Sequence, residues 1–372
     1  MYSRIHLDAP NVGSLEKRYI NEAIDSGYIS SVGPAVPEFE KRCADYLDVK
    51  KTVSTNSGTS ALHIALYELG IGPGDEVIVP PLTFIATVNP VLYVGATPVF
   101  ADVNIDTWNI DPEAIEKAVT KKTKAIIPVH LYGNPCDMKE IKRIADKYGL
   151  FVIEDAAESL GAQYRGEFTG TLGDLGCISF NGNKTITTGG GGMVIGNDKG
   201  RLDHIKFLVN QARDSSYEMY HSEIGFNYRM TNLQAALGLA QIERLEEFLS
   251  KKKEFNRIYK EELGELKNIR FQKEYEQSES SCWFTCILTE EPAVRENLQE
   301  RLKTRGIPTR RIFKPVNEFP PYDGARFIDY GSSHYIYERG ICMPASTLNE
   351  VSDIRKVCSV VKEICCEASI AC

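Results

Sequence analysis

The chain has 372 residues, of which 42% are hydrophobic and 25% are charged, values typical of a globular protein. Its formal net charge of −8 argues against a surface that binds nucleic acid or an anionic membrane. It shows no bilayer-spanning apolar run, no signal-peptide core and no zinc-ligand spacing among its ten cysteines, so we expect a cytoplasmic protein without a metal.

Strands and helices alternate along the first two thirds of the chain. Helices are predicted at residues 14–26, 61–69, from Asp111 onward, and at 138–148. Apolar, β-branched segments typical of strands lie at residues 76–79, 97–102, 125–129, 150–154, 177–180 and 192–196. This alternation predicts an α/β fold with a mostly parallel sheet covered by helices on both faces. Ligands of such sheets bind at the carboxyl ends of the strands.

Small polar residues precede the helix that is predicted to begin near Ala61. Ser57, Gly58 and Thr59 would expose backbone N–H groups and the positive end of the helix dipole, which bind phosphate well. The alternative is that the hydroxyl residues only cap the helix. Phe84 follows the next strand at the same end of the sheet, where its ring could stack on a flat ligand or simply pack in the core.

Acidic residues and a lone lysine follow two later strands. Asp155 ends one strand, and Glu158 would share its face if the chain turned helical there. Ser179 ends the next strand, and Lys184 follows it, shortly before four glycines. In the plainer alternative, Asp155 caps a helix, the backbone satisfies Ser179, and Lys184 lies on the surface.

These groups are the ones that pyridoxal phosphate chemistry requires. The amine of Lys184 would form a Schiff base with the aldehyde, and Asp155 would keep a proton on the pyridine nitrogen so that the ring withdraws electrons. The Ser179 hydroxyl could bind the phosphate. Nucleotide triphosphate hydrolysis and dinucleotide oxidoreduction are disfavoured, because neither G-x-x-x-x-G-K-[ST] nor a G-x-G-x-x-G after a first strand is present.

A polar and aromatic cluster at residues 225–232 precedes a long, charged helical pattern that continues to about Leu263. Asn227 and Arg229 are candidates for contacts with anions, while Thr231 or Asn232 could only cap the helix. The residues that follow indicate a strand, a helix, a loop and a second helix.

We therefore expect two domains. The large domain would span residues 1–245, and a smaller α+β domain would span residues 246–372.

Together these motifs resemble the sugar aminotransferases of the DegT/DnrJ/StrS family, which belong to the fold-type I pyridoxal phosphate enzymes. The resemblance covers nearly the whole chain and rests on residues 56–61, 83–87, 129–133, 154–159, 179–184, 191–193 and 227–232. It implies a seven-stranded, mostly parallel sheet, pyridoxal 5′-phosphate as cofactor and L-glutamate as amino donor.

The resemblance also implies roles for individual residues. Lys184 is similar to the Schiff-base lysine of the family, and Asp155 to the partner of the pyridine nitrogen. Glu158 stands near the ring hydroxyl, and Phe84 is the stacking ring. The expected phosphate ligands are Gly58, Thr59 and Ser179, and Ser57 is a further expected cofactor contact.

Two further implications concern the neighbouring subunit and the sugar. Asn227 would reach the cofactor phosphate of a second subunit, which implies a homodimer with shared sites. The expected contacts to a nucleotide sugar are Ser30, Ser31, Gly33, Asn181, Arg229, Lys314 and Asn317.

Two departures from the family pattern bear on the substrate. Gly190 replaces an acidic residue that often follows the lysine in the family. This replacement resembles the subgroup that aminates UDP-4-keto-6-deoxy-N-acetylglucosamine, so we expect that sugar as the main substrate. Asn317 replaces a frequent histidine, which keeps GDP-4-keto-6-deoxymannose open as the alternative substrate, with a 3-keto sugar as a further one. Relatives that dehydrate sugars carry histidine in place of the lysine, so Lys184 argues against them, and intact Lys184, Asp155 and Ser179 disfavour a non-catalytic sugar-binding protein.

Overall fold

A computed structural model describes residues 5–214 and 220–370. Within these residues the α-helices are α1 Ser14–Asp25, α2 Ala35–Leu47, α3 Gly58–Glu68, α4 Asn89–Tyr93, α5 Pro112–Ala118, α6 Met138–Tyr148, α7 Lys199–Leu208, α8 Asn232–Glu243, α9 Leu245–Leu263, α10 Pro292–Thr304, α11 Ser332–Arg339 and α12 Val351–Ile370. Short 3-10 turns lie at Ile85–Thr87, Leu131–Gly133, Val316–Glu318 and Pro320–Tyr322.

The strands form one large sheet and three smaller ones. In chain order they are β1 Lys51–Thr55, β2 Glu76–Val79, β3 Thr97–Ala101, β4 Thr123–Ile126, β5 Phe151–Asp155, β6 Gln163–Tyr164, β7 Glu167–Phe168, β8 Leu175–Ser179, β9 Gly192–Gly196, β10 Arg213–Asp214, β11 Tyr220–His221, β12 Ile269–Phe271, β13 Ser278–Glu279, β14 Cys286–Thr289, β15 Arg310–Arg311, β16 Phe327–Ile328 and β17 Gly340–Cys342.

The large sheet has the strand order β1-β9-β8-β5-β4-β2-β3-β16. Only β9 runs antiparallel to its neighbours, β1 and β8, so the predicted mostly parallel α/β sheet is confirmed. The sheet has eight strands where seven were expected, because β16 pairs with β3 at the edge. The backbone N–H of Phe100 donates to the carbonyl oxygen of Arg326 at 2.8 Å and thereby anchors this added strand.

Local sequence signals explain where several helices begin and end. The Asp111 side chain accepts a hydrogen bond from the backbone of Glu113, so it caps α5 as expected. Asp137 caps α6 in the same way, and Gly149 ends that helix with a φ of 65°. Such left-handed backbone favours glycine because it has no Cβ.

The long helical pattern before residue 263 is two helices, α8 and α9, that meet at Arg244. Thr231 and Gln234 form a capping box at the start of α8, so the capping role considered for Thr231 is confirmed. A helix after Asp155 would have placed Glu158 on the same face as Asp155. The structure has no helix there, since residues 156–161 form turns.

The C-terminal part of the chain surrounds a second sheet, ordered β12-β14-β17-β15. Helices α9, α10 and α12 share a buried apolar core with this sheet, and Ile5 from the other end of the chain joins it. Because β16 nevertheless belongs to the large sheet, the backbone crosses between the two parts more than once. The division into residues 1–245 and 246–372 stays a prediction, and its first four and last two residues lie outside the described ones.

In the part of the chain that the structure describes, none of the helices combines the length and apolarity that a bilayer crossing requires. Those residues also contain no group of three or more histidine, cysteine, aspartate or glutamate side chains that could hold a metal ion.

Candidate active site

A cavity of about 480 Å³ lies at the carboxyl ends of β2, β4, β5 and β8, where a parallel sheet is expected to bind its ligand. Its lining includes a large share of the predicted site residues. These are Ser57, Gly58, Thr59, Phe84, Asp155, Glu158, Ser179, Asn181 and Lys184.

The lysine side chain reaches into this cavity and is only 13% exposed. Its Nζ lies 3.6 Å from Oε1 of Glu158 and 4.0 Å from the centre of the Trp283 ring. Burial lowers the pKa of Lys184, and the carboxylates of Glu158 and Asp155 oppose that change. A lowered pKa makes the neutral amine more available, and the neutral amine is the form that acts as nucleophile and proton acceptor. The surface alternative for Lys184 is therefore wrong.

Asp155 ends β5 and is buried. Its Oδ2 accepts a hydrogen bond from Oγ1 of Thr87 at 2.7 Å, and its Oδ1 accepts one from the backbone N–H of Ala157 at 3.1 Å. Burial raises the pKa of Asp155, while these two donors counteract the rise. A buried carboxylate of this kind gains most from a cationic N–H partner in the cavity.

The acid beside it is used differently. Glu154 accepts hydrogen bonds from the backbone N–H groups of Gly170, Leu172 and Gly173, and its Oε2 lies 2.9 Å from Nε2 of buried His130. These contacts fix the loop after β7. Because side chains alternate along the strand, Glu154 points toward residues 170–173 and Asp155 points into the cavity.

Glu158 is the second carboxylate of the cavity. Its Oε2 accepts a hydrogen bond from the backbone N–H of Tyr132 at 2.8 Å, which leaves Oε1 facing Lys184. Burial raises the pKa of Glu158, and the Lys184 amine opposes the rise. The turn after β5, rather than a helix, brings it next to Asp155.

The N-terminus of α3 borders the cavity at its other end. Ser57 caps this helix, since its Oγ accepts a hydrogen bond from the backbone N–H of Ser60 at 3.1 Å. The capping alternative therefore applies to Ser57. Gly58 and Thr59 open the first turn, and an added Cβ at Gly58 would lie 2.9 Å from Cβ of Ser179. Glycine thus lets the helix start and the Ser179 hydroxyl share one small volume, which suits a phosphate.

Phe84 is 56% exposed, so it does not pack in the core. Its ring lies in the cavity wall, with its centre 5.9 Å from that of Phe313. A flat ligand ring can therefore be covered by the Phe84 face.

The loop predicted to contact the sugar, residues 30–33, does not line the cavity. Ser30, Ser31 and Gly33 do not belong to the described lining of the cavity. The Ser30 carbonyl accepts a hydrogen bond from the backbone N–H of Asn232 at 2.6 Å, and a Cβ at Gly33 would collide with the Asn232 side chain. These residues are held against the start of α8, so one chain alone does not bring them to Lys184.

Four other predicted residues also lie outside that lining. The backbone carbonyl oxygen of Asn227 accepts a hydrogen bond from Nδ2 of Asn56. Lys314 forms an ion pair with Glu318 at 3.4 Å. Among the described residues, Nε of Arg229 and Oδ1 of Asn317 are buried and have no hydrogen-bond partner.

Among the cavity residues that were not predicted from the sequence are Thr87, Trp283, Arg310 and Phe313. Thr87 lies within the 83–87 motif, so the fragment that contains it was recognised without its role. The other three belong to the C-terminal part of the chain and carry no spacing that relates them to Lys184. Only the fold brings them to the cavity.

The cavity fits pyridoxal phosphate. A phosphate can bind the start of α3, a pyridine ring can lie against Phe84, and its nitrogen can face the buried Asp155 carboxylate. Lys184 then supplies the amine for the aldehyde.

Comparison with known proteins agrees with this geometry. The profile of the DegT/DnrJ/EryC1/StrS aminotransferase family matches residues 10–362. The GDP-perosamine synthase of Escherichia coli O157:H7 is 42% identical, over 95% of this chain and 96% of its own. The enzyme of the same name from Caulobacter vibrioides is 41% identical over 97% and 98% of the two chains.

Solved structures show the same fold. The pyridoxal phosphate form of the putative sugar aminotransferase Spr1654 from Streptococcus pneumoniae superposes with a TM-score of 0.93 at 28% identity, over 98% of this chain and 99% of that one. The sequence-based expectations of the family, the fold-type I architecture and the cofactor are therefore confirmed. The chain belongs to the DegT/DnrJ/EryC1/StrS aminotransferase family and is a pyridoxal phosphate-dependent sugar aminotransferase.

Proposed function

We propose that the enzyme transfers an amino group from L-glutamate to C4 of GDP-4-keto-6-deoxy-D-mannose. The observation that supports this most is the similarity to three GDP-perosamine synthases, at 42%, 41% and 37% identity over nearly the whole chain. This substrate was the alternative in the sequence analysis. It now takes precedence over the UDP-linked N-acetylglucosamine derivative.

The UDP-linked 4-keto sugar remains the second candidate. Gly190, in the loop after Lys184, is the observation that favours it. A 3-keto substrate has weaker support, from a UDP-2-acetamido-2-deoxy-3-oxo-D-glucuronate aminotransferase of Pseudomonas aeruginosa that is 37% identical over 78% of this chain.

The cofactor, when bound, withdraws electrons from the substrate carbon that carries the nitrogen and so makes its C–H bond acidic. Asp155 would keep the ring nitrogen protonated, and Thr87 orients the carboxylate for this task. The start of α3 and Ser179 would hold the phosphate, and Phe84 would cover the ring. Together these contacts fix the reacting carbon relative to the lysine amine.

Lys184 is the proton carrier of the proposed reaction. Its burial disfavours the ammonium form, so that the neutral amine is available to remove a proton from the donor carbon. Within the same half-reaction the amine would pass that proton to C4′ of the cofactor, and in the second half-reaction it would take a proton from C4′ and deliver it to C4 of the sugar. Glu158 lies 3.6 Å away and stabilises the ammonium form between removal and delivery of the proton in each half-reaction.

We further propose that two copies of the chain share their sites. Asn227 and residues 30–33 lie outside the lining formed by a single chain, which supports their predicted contribution to a neighbouring subunit. Apolar side chains near them are exposed, including Tyr28, Ile29 and Val32. Sedimentation analysis of the holoenzyme tests this arrangement, and a monomer with full activity would reject it.

The substrate is tested by separate incubations with L-glutamate and each of the two 4-keto sugars, followed by mass spectrometry of the product. We expect an amino sugar from the GDP-linked ketone with an equal amount of 2-oxoglutarate, and none from a Lys184→Ala control. Amination of the UDP-linked ketone alone would reject the GDP assignment. Amination of a 3-keto isomer alone would reject reaction at C4.

A further inference from the structure

Arg310 lines the cavity beside Lys184, and the reaction steps described above give it no task. It lies on β15, and its Nη1 forms an ion pair with Oδ2 of Asp8 at 3.2 Å. Its Nε and Nη2 are buried and have no hydrogen-bond partner within the described structure. Buried donors of a charged group are costly to leave unpaired, which indicates that a ligand satisfies them during the reaction.

The two unpaired nitrogens have a specific geometry. The N–H groups of Nε and Nη2 point the same way along one edge of the planar guanidinium, so they can donate in parallel to the two oxygens of one carboxylate. Aromatic rings lie beside the group: its Cζ is 4.6 Å from the centre of the Phe284 ring and 5.6 Å from that of Trp283. Asp8 holds the opposite edge.

The position of Arg310 relative to Lys184 favours a ligand whose carboxylate lies close to the reacting carbon. The Lys184 amine and the Arg310 guanidinium both contact the Trp283 ring. In an α-amino acid the carboxylate is bonded directly to the carbon that loses its proton. In a nucleotide sugar the sugar ring separates the diphosphate from C4. A diphosphate would therefore lie farther from the Lys184 amine than the α-carboxylate of an amino acid does.

Asp8 explains how the same cavity can also accept a sugar. A sugar ketone carries no carboxylate, so a buried guanidinium would then lack a counter-ion. Asp8 supplies one in both half-reactions, and its Oδ2 also accepts a hydrogen bond from Nδ2 of Asn183, next to Lys184, at 3.0 Å. Arg310 is thereby kept in place when the amino acid has left.

We propose that the Nε and Nη2 edge of Arg310 binds the α-carboxylate of the amino donor, after a small rotation of its outer side-chain torsion angles toward the cavity. This proposal rests on the proposed transfer from an amino acid but not on the identity of the sugar. It assigns Arg310 to the first half-reaction only.

The test compares Arg310→Gln with Arg311→Gln in the holoenzyme. Arg311 is the matched control, because it lies on the same strand but donates from Nε to the Tyr337 carbonyl and is not in the described cavity lining. The loss of the cofactor absorbance band is followed at increasing concentrations of L-glutamate and of 4-aminobutyrate, which lacks the α-carboxylate. The second half-reaction is measured with enzyme loaded with pyridoxamine phosphate and the sugar ketone.

We expect Arg310→Gln to lower kcat/KM for L-glutamate by about ten- to a hundredfold, the effect of losing hydrogen bonds to a charged group. Its kcat/KM for 4-aminobutyrate and its rate with the sugar ketone should stay within about twofold of wild type, as should all values for Arg311→Gln. If Arg310→Gln does not fold, Arg310→Lys retains the charge, loses the paired edge and should show the same selective defect.

Three outcomes would overturn the proposal. An unchanged response to L-glutamate shows that no carboxylate binds Arg310, and an equal loss with 4-aminobutyrate shows that the α-carboxylate is not what it binds. A selective loss with the sugar ketone indicates a diphosphate contact instead. Wild-type enzyme that reacts with L-glutamate but leaves the GDP-linked ketone unchanged would reject only the proposed substrate.

Discussion

The Nζ of Lys184 lies 4.0 Å from the centre of the Trp283 indole ring, and the indole Nε1 donates to the carbonyl oxygen of Asn183 at 2.8 Å. One aromatic side chain from the C-terminal part of the chain therefore contacts both the Lys184 amine and the backbone beside it. The ring face stabilises the ammonium form and so partly offsets the effect of burial on the lysine.

Replacing Trp283 should change the pH dependence of proton transfer. In Trp283→Leu the ammonium form of Lys184 loses its cation–π contact, so we expect a lower pKa and a rising limb of the pH–rate profile displaced to lower pH by up to about one unit. The measurement is the rate of the glutamate half-reaction against pH. Trp283→Phe retains a ring face and should restore most of the wild-type profile, whereas a shift to higher pH in Trp283→Leu would contradict the explanation.

Thr87 should control the ionisation of Asp155. Thr87→Val removes the hydroxyl that donates to Oδ2 of Asp155 at 2.7 Å, and burial then raises the pKa of that carboxyl further. Because the ionised carboxylate is the form that holds a proton on the ring nitrogen, the acid limb of the pH–rate profile should move to higher pH. Thr171→Val, which removes a hydroxyl bonded to a backbone carbonyl outside the cavity lining, is the control. Identical acid limbs in the two variants would argue against this role.

Lys252 should make stability depend on pH in the alkaline range. Its buried Nζ donates to the carbonyl oxygens of Trp283 and Ala345, and burial lowers its pKa to about 8. Between about pH 8 and the ordinary value near 10.4, the unfolded chain binds the proton and the folded chain does not. Stability contributed by this group therefore rises with pH across that window and is constant below it.

The measurement is the free energy of unfolding of wild type and Lys252→Met, by urea denaturation at several pH values. The difference should move in favour of wild type by up to about 3 kcal/mol between pH 8 and pH 10.4. Lys253→Met, a change on the exposed face of the same helix, is the matched control. A difference that does not vary with pH would contradict the prediction.

Gly58 should be required for cofactor binding. An added Cβ would lie 2.9 Å from Cβ of Ser179, so Gly58→Ala has to separate the start of α3 from that hydroxyl. Overpacking of this kind costs about 1–3 kcal/mol, and we expect the Kd for pyridoxal phosphate to rise about tenfold. In Gly72→Ala the nearest atom would lie at an ordinary 3.7 Å, so its Kd should equal that of wild type. Equal affinities in both variants would show that the helix start does not hold the phosphate.

Local signals in the sequence were sufficient for the elements that they specify directly. Asp111 caps α5 as expected, and Asp137 and Gly149 bound α6 at the predicted residues 138–148, because capping depends on neighbours a few residues away. Register and edge pairing have no such signal. The two-residue strand Phe327–Ile328 joins the large sheet only because the chain returns to β3, and its sequence is too short to show a period.

The same distinction between local and long-range signals applies to the residues of the candidate active site. Lys184, Asp155 and Ser179 could be recognised because each follows a strand, and parallel strands deliver their carboxyl ends to one edge of the sheet. Trp283 and Arg310 could not, since Trp283 precedes β14 and Arg310 lies on β15 in the C-terminal part, and neither has a sequence relation to a lysine in the loop after β8. The sequence alone therefore determined the family, the fold class and the cofactor, and it indicated the lysine that we propose to react. Only the tertiary structure, which packs the C-terminal part against the large sheet, decided which aromatic and cationic groups surround that lysine, because long-range packing leaves no periodic trace in the chain.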